Sequence, residues 1–255
     1  MHLCILEADS PAADLRTISG SYADMFETWL APALPEARFS RVAVHAGEIP
    51  EPPGSPGGFD GYLITGSLRS AYDDLDWIHG LRDFIRRSLA ARVPVGGVCF
   101  GHQIIAEAMG GRVMHCERGW ALGRTAYGVL PAGQRWFGQS RVEGLAFHRD
   151  QVAALPPDAV PLAGNPHCPW SALAYSGSAY SASALSVQFH PEFSTAYLSA
   201  LIARNLGEAA AQQLLEAAPP DLSEAPRIDA VTRAFVRMFR GDRLAELSVD
   251  RPPEI

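Results

Sequence analysis

Residues Val93 to Val98 read as a short buried strand that runs directly into Gly97-Val-Cys99-Phe-Gly101, and a helix-like stretch, Gln103-Ile-Ile-Ala-Glu-Ala-Met-Gly110, follows at once. A strand that turns straight into a helix is a nucleophile elbow in outline, and glycine on either side of Cys99 makes the crowded turn sterically feasible. The free backbone N–H groups and positive dipole end of such a helix favour a thiolate at Cys99. The N–H of Phe100 would face the oxygen of an attacked carbonyl. The chemistry suggested is acyl transfer through a thioester, although a Gly-x-Cys-x-Gly string alone suits a packed, inert cysteine equally well.

The first half of the chain alternates strand-like and helix-like stretches. Leu3 to Leu6, Arg41 to His45 and Gly61 to Thr65 read as strands, the last ending at Gly66-Ser67 after a Pro/Gly-rich loop from Pro50 to Gly58. Tyr22 to Leu30 has apolar residues at helical spacing. Trp77 to Ala91 is the clearest helix: Trp77, Ile78, Leu81, Phe84, Ile85 and Leu89 recur on one face, with Arg82, Arg86 and Arg87 between them. Short apolar strands separated by amphipathic helices indicate a parallel sheet covered on both faces, with sites gathered at the carboxyl ends of the strands. Gly66 and Cys99 both fall at such ends.

From Gly111 to Phe189 the helix signals thin out, and Arg112–Cys116, Ala126–Leu130, Val142–Phe147, Val160–Gly164, Ser171–Tyr175 and Ala184–Phe189 read as strands. These are expected to be antiparallel additions to the same domain. Ala196 to Leu206 resumes a helical pattern. The expected class is therefore α/β: a flavodoxin-like open sheet, parallel at its centre, with helices on both faces and antiparallel extension strands. Residues 1–207 are expected to form one domain. Residues 208–255 read as a helical extension packed on it: a second helical run, Pro219-Pro220, a helix within Ala225 to Phe239, and a ragged polar end.

Composition narrows the function classes. With 255 residues and 47% hydrophobic content the chain can bury a large core. Its net charge is −7, lysine is absent, and the arginines are scattered, so neither a nucleic-acid surface nor a polybasic membrane surface is expected. Met1 to Glu7 has no basic flank and too short an apolar run for a signal or membrane helix, which predicts a cytoplasmic protein. Cys4, Cys99, Cys116 and Cys168 are too few and too dispersed for a disulfide framework. His115-Cys116 and His167-Cys168 are adjacent pairs that point to opposite faces of an extended chain, so no metal site is expected and no cofactor is called for.

A thiol nucleophile needs a base, and the base an orienting group. Among eight histidines, His190 has the best local context, because Gln188-Phe-His-Pro-Glu192 sets a carboxylate two residues after the imidazole. In an extended segment those two residues share a face, so Glu192 can accept the second ring N–H of His190. His102, on the elbow helix, is read as structural. His148, in Phe147-His-Arg-Asp150, follows a strand, and the cation and carboxylate of Arg149 and Asp150 suit an amino-acid ligand as well as they suit a solvated turn with an internal ion pair.

Together, Gly97-Val-Cys-Phe-Gly-His-Gln103, Gln188-Phe-His-Pro-Glu192 and Ile64-Thr-Gly-Ser67 resemble the class I glutamine amidotransferases of the Cys-His-Glu type, over roughly residues 3 to 207. Glu117 to Gly123 and His148 to Val152 further resemble the stand-alone members related to the amidotransferase domain of GMP synthase. The resemblance implies that Cys99 attacks the glutamine side-chain amide, His190 moves the proton and Glu192 orients His190. It also implies an oxyanion hole from the backbone N–H of Phe100 with that of Gly66 or Ser67. Gln103 would contact the bound glutamine, and His148, Arg149 and Asp150 would lie near its head group.

The chain departs from the family pattern in three respects. Leu68 stands where members commonly have proline, Arg149 stands where the GMP synthase type has glycine, and the short helical tail after Leu206, with no phosphate-binding Gly-x-x-x-x-Gly-Lys string in these residues, leads us to expect no attached synthase domain. The resemblance thus leaves three functions in competition. One is a glutaminase that passes ammonia from glutamine to a separate synthase subunit. Another is an independent hydrolase or peptidase acting on other γ-glutamyl compounds. The third is a non-catalytic regulatory module, against which the intact Cys99, His190 and Glu192 argue. The PfpI-like group also has an elbow cysteine, but its histidine usually follows the cysteine directly, where this chain has Phe100.

Overall fold

The computed structural model describes residues 1–55, 58–175, 184–210, 212 and 229–241. The chain starts with β1 (His2–Leu6), α1 (Ala13–Ser19) and α2 (Tyr22–Leu30), then β2 (Arg38–Val42), β3 (Gly61–Ile64), α3 (Asp76–Ala90), β4 (Val95–Val98) and α4 (Phe100–Ala108). These follow the expected alternation closely. Side chains of β1 show how the sheet is clad, since successive residues point to opposite faces. Leu3 and Ile5 pack with Phe26 and Trp29 of α2, whereas Cys4 and Leu6 pack with Ile78 and Phe84 of α3 and Ile104 and Ile105 of α4. Each fully buried large side chain in these layers contributes about 1.5–3 kcal/mol.

The second half supplies β5 (Arg112–His115), β6 (Ala121–Val129), α5 (Gln134–Phe137), β7 (Arg141–His148), β8 (Asp150–Ala154), β9 (Ala159–Gly164), β10 (Ala172–Tyr175) and β11 (Ala184–Val187), followed by α6 (Thr195–Leu206) and α7 (Ala230–Arg240). The main sheet has nine strands in the order β2-β1-β3-β4-β11-β10-β9-β6-β7. Strands β2, β1, β3, β4 and β11 pair in parallel. From β11 outward through β10, β9, β6 and β7 every pairing is antiparallel. The helix α7 joins the α2 layer: Phe235 and Phe239 share its core, and Trp29 Nε1 donates to Thr232 Oγ1 at 2.8 Å.

Several expectations are corrected in detail. β11, read as one of the antiparallel additions, is parallel to β4 and antiparallel only to β10, a direction that the residue pattern of one strand does not encode. β5 leaves the main sheet and pairs with β8, which was not foreseen, in a separate two-stranded ribbon. β2 occupies Arg38–Val42 rather than Arg41 to His45, and Val44–Ala46 forms a short 3-10 turn. As an edge strand with exposed Arg38 and Arg41, it lacks the continuous apolar signature that marks a central one. The helical run after Glu208, Pro219-Pro220 and the polar end lie wholly or largely outside the described residues. Among the described residues, no helix is long and apolar enough to cross a membrane.

Candidate active site

Cys99 sits between β4 and α4 with φ 53° and ψ −105°. A positive φ is costly for any residue with a Cβ and persists only where the surroundings enforce it. Here they do so by close approach. A Cβ on Gly97 would fall 2.5 Å from backbone atoms of Gly101, and one on Gly101 would fall 2.4 Å from the carbonyl oxygen of Ile64. Only glycine at both positions lets the helix start so near the sheet. Phe100 is the first residue of α4, where a backbone N–H has no partner within its own helix.

Because β11 lies beside β4 in parallel, with Val98 opposite Val187, the residues after both strands emerge together. The N–H of Cys99 donates to the Val187 carbonyl at 2.9 Å, and the N–H of His190 donates to Leu145 of β7 at 2.7 Å. His190 and Glu192 face each other with Nδ1 2.7 Å from Oε1, and the pair is sealed from water: their side chains are 4% and 0% exposed. The segment carrying them is not an extended strand, since only an isolated bridge to Leu145 pairs it, yet the two side chains meet as the spacing predicts. Phe193 stacks flat on the imidazole, with ring centroids 3.8 Å apart.

Burial of His190 works against its imidazolium, but the Glu192 carboxylate and the charge and hydrogen bond of Cys99 prevail, so its pKa is pushed up to about 10. The site therefore favours an ion pair between imidazolium and carboxylate at neutral pH. Around the sulfur, Gln188 Nε2 lies 3.7 Å and the Phe147 carbonyl oxygen 4.0 Å from Sγ. Gly66 borders the same space, because a Cβ there would come within 3.2 Å of His190 Cε1 and 3.8 Å of Cys99 Cβ. A thiol, a buried imidazole, a buried carboxylate and helix-start donors are thus assembled at the carboxyl ends of adjacent parallel strands. Such a set can form and resolve a covalent acyl intermediate.

The other residues singled out from sequence divide into two groups. Gln103, buried on α4, donates through Nε2 to the Asp150 carbonyl at 2.8 Å and to Gln188 Oε1 at 3.3 Å. His148 is buried with Nδ1 3.2 Å from that same carbonyl, and its Nε2 has no protein partner. Burial, helped by the neighbouring His190, holds its pKa down to about 3, so it is neutral. The Asp150 carboxylate receives Ser70 Oγ at 2.5 Å and lies 3.1 Å from His115 Nδ1, so both its oxygens have partners within the protein. Arg149 is exposed and offers its carbonyl to the N–H of Cys116 at 2.8 Å. His102 is fully buried with Nδ1 2.8 Å from Ser186 Oγ, in keeping with a structural reading.

Sequence reasoning passed over four residues of this neighbourhood. Gln188 and Phe193 flank the His190 motif, and their proximity to it was the available signal. Asp9 follows β1, and its Oδ2 accepts the N–H of Leu68 at 3.0 Å; Ser70 belongs to the same loop. Both lie near strand ends, where α/β sheets collect their sites.

A family model described as "Glutamine amidotransferase class-I" matches residues 26–206. A glutamine amidotransferase-like protein of Schizosaccharomyces pombe is 28% identical over 211 residues, spanning 79% of this chain and 83% of that one. Gamma-glutamyl peptidase 4 of Arabidopsis thaliana is 34% identical over 158 residues, which cover 58% of this chain and 59% of the peptidase, less than two thirds of its length. The crystal structure of a glutamine amidotransferase from Thermotoga maritima superposes with a TM-score of 0.68 at 18% identity, covering 94% of this chain and 96% of that one, a likeness of fold.

Proposed function

This chain belongs to the class-I glutamine amidotransferase family, and we propose that it is a cysteine-dependent amide hydrolase that releases ammonia from glutamine and serves a separate synthase. The observation that carries the reading is the buried His190–Glu192 pair, 2.7 Å apart, coupled to Cys99 at a strained strand-to-helix turn. In the proposed mechanism His190 takes the thiol proton of Cys99, Sγ adds to the γ-carbonyl carbon, and the carbonyl π electrons move onto the oxygen. The N–H of Phe100 and one from Gly66 or Ser67 receive that oxyanion. Collapse of the tetrahedral species breaks the C–N bond while the His190 imidazolium gives its proton to the leaving amine. Water then attacks the thioester as His190 takes one of its protons; the C–S bond breaks, His190 returns that proton to the departing sulfur, and glutamate is released with the Cys99 thiol restored.

Gln103, His148, Arg149 and Asp150 are proposed to bound the substrate side. Their geometry supports a rigid wall built on the Asp150 carbonyl, with the neutral Nε2 of His148 left to accept a donor from the ligand. A second reading, an independent γ-glutamyl peptidase, is favoured by the 34% identity to gamma-glutamyl peptidase 4. Both readings share one thioester.

The test compares ammonia release from glutamine with glutamate release from γ-glutamyl dipeptides, for the purified chain alone and with cell extract. Activity on dipeptides without extract selects the peptidase reading; activity on glutamine that rises with extract selects the synthase-coupled one. Cys99→Ala is expected to abolish turnover of either substrate, and retained turnover in that variant would sink the mechanism.

A further inference from the structure

We propose that Asp9 is a positioning residue for the oxyanion hole, a role that rests on the catalytic reading above. The loop after β3 carries Gly66 and Ser67, the two candidate donors, and side-chain packing does little to fix it, since Leu68 is 64% exposed. Its near end is tied to the tail of β1: the N–H of Thr65 donates to the Leu6 carbonyl at 3.2 Å, and the N–H of Ala8 donates to Thr65 Oγ1 at 3.0 Å. Its far end is held where Ser70 Oγ donates to Asp150 Oδ2 at 2.5 Å.

Between these anchors the loop is tied through Asp9. One oxygen of its carboxylate, Oδ2, accepts the N–H of Leu68 at 3.0 Å and the hydroxyl of Ser67 at 3.4 Å, and Ser67 Oγ in turn accepts the N–H of Arg69 at 3.0 Å. The other oxygen, Oδ1, accepts the N–H of Ser10 at 2.8 Å, which fixes the carboxylate plane. Capture of the Leu68 N–H sets the peptide plane between Ser67 and Leu68. That in turn restricts the torsion of Ser67 and the direction of the N–H groups before it. Hydrogen bonds to a charged acceptor are the stronger kind, so a single carboxylate suffices to hold a turn of this size. Asp9 touches neither the thiol nor the reacting carbonyl; it acts through the loop.

The test uses the full chain as wild type, Asp9→Ala and Asp9→Asn, with three readouts: steady-state hydrolysis of glutamine and γ-glutamyl dipeptides, alkylation of Cys99 by iodoacetamide, and hydrogen exchange of the peptide spanning residues 65–70. Alkylation needs the thiolate and no oxyanion hole. Asp9→Ala is expected to lower kcat by about 10- to 100-fold with KM changed by less than about threefold, to leave alkylation unchanged, and to speed loop exchange. Asp9→Asn keeps an acceptor oxygen and should recover most of the lost kcat.

Unchanged kcat in Asp9→Ala, alkylation that falls in step with kcat, or loop exchange that matches wild type would each overturn the proposal. A wild-type chain that turns over no γ-glutamyl compound would defeat the functional reading and the oxyanion-hole role with it, and the exchange measurement would then decide separately whether Asp9 holds the loop.

Discussion

Replacing Glu192 with glutamine removes one charge and keeps the shape of the side chain. Glu192 is fully enclosed and contacts His190 at 2.7 Å, so no water can substitute for the lost carboxylate. Raising the His190 pKa from an ordinary value of about 6.5 to about 10 corresponds to about 5 kcal/mol of preference for the imidazolium, shared between Glu192 and Cys99. The share of Glu192 is set at about 3 kcal/mol, the low end for breaking a buried pair. The folded-state pKa is raised, so this stabilisation is fully present below about pH 6.5 and is lost as the pH rises through about 10.

Glu192→Gln should therefore be about 3 kcal/mol less stable than wild type at pH 6, with the gap closing toward pH 10. In catalysis the variant loses the group that holds and charges the imidazole, and kcat should fall by about 10²- to 10⁴-fold. The alkaline limb of the kcat/KM profile should move down by at least about one unit, since a carboxylate neighbour shifts such groups by about 1–3 units. Urea unfolding at several pH values and initial rates between pH 5 and 10 are the measurements. An alkaline limb that stays in place, with a kcat close to wild type, would refute the ion-pair argument.

Two further perturbations probe the scaffold. Gly97→Ala drives a Cβ to 2.5 Å from the backbone of Gly101, which cannot yield without moving α4, so stability should fall by about 3 kcal/mol and Cys99 should lose its reactivity; a wild-type urea midpoint would show the approach is not that close. His102 is held neutral by burial, with its pKa lowered to about 4, whereas an unfolded histidine takes up a proton near pH 6.5. The unfolded state then binds more protons, and this one residue removes about 3 kcal/mol of stability as the pH drops from about 6.5 to about 4. His102→Gln should flatten that acid limb, and an unchanged slope would count against the buried neutral imidazole.

The parallel half of the fold was legible because each of its elements carries a one-dimensional signature. Asp76–Ala90 differs by one residue at each end from the helix expected at Trp77 to Ala91, since its buried residues recur with the helical period. Tyr22–Leu30 was also plain, and its Ser21/Asp24 capping box fixes the start. Strand direction was not legible at β11, because an apolar run reads the same whether its neighbour runs up or down. The helix Ala13–Ser19 was missed for a related reason: it buries only Leu15, too little to set a period.

At the site, Cys99, His190 and Glu192 were readable from short strings, since an elbow and a spaced carboxylate are local devices. Contacts that join distant segments were not. Asp9 reaches Leu68, and Ser70 reaches Asp150, by virtue of sheet order, which no local pattern specifies. The Asp150 carboxylate has protein partners on both oxygens, Ser70 and His115, and neither contact could be read from the charges around it in sequence.

The placement of β11 between β4 and β10 carries a consequence for biogenesis. During synthesis the ribosome delivers the elbow thiol well before the imidazole, with the strands β5 to β10 between them. Cys99 meets His190 only once this late strand lies between β4 and β10. A chain without β11 lacks the strand that joins β4 to β10, and its Cys99 has no His190 beside it. The meeting of thiol and imidazole thus depends on one late strand, and a truncated product ending before residue 184 would carry Cys99 without His190 and Glu192.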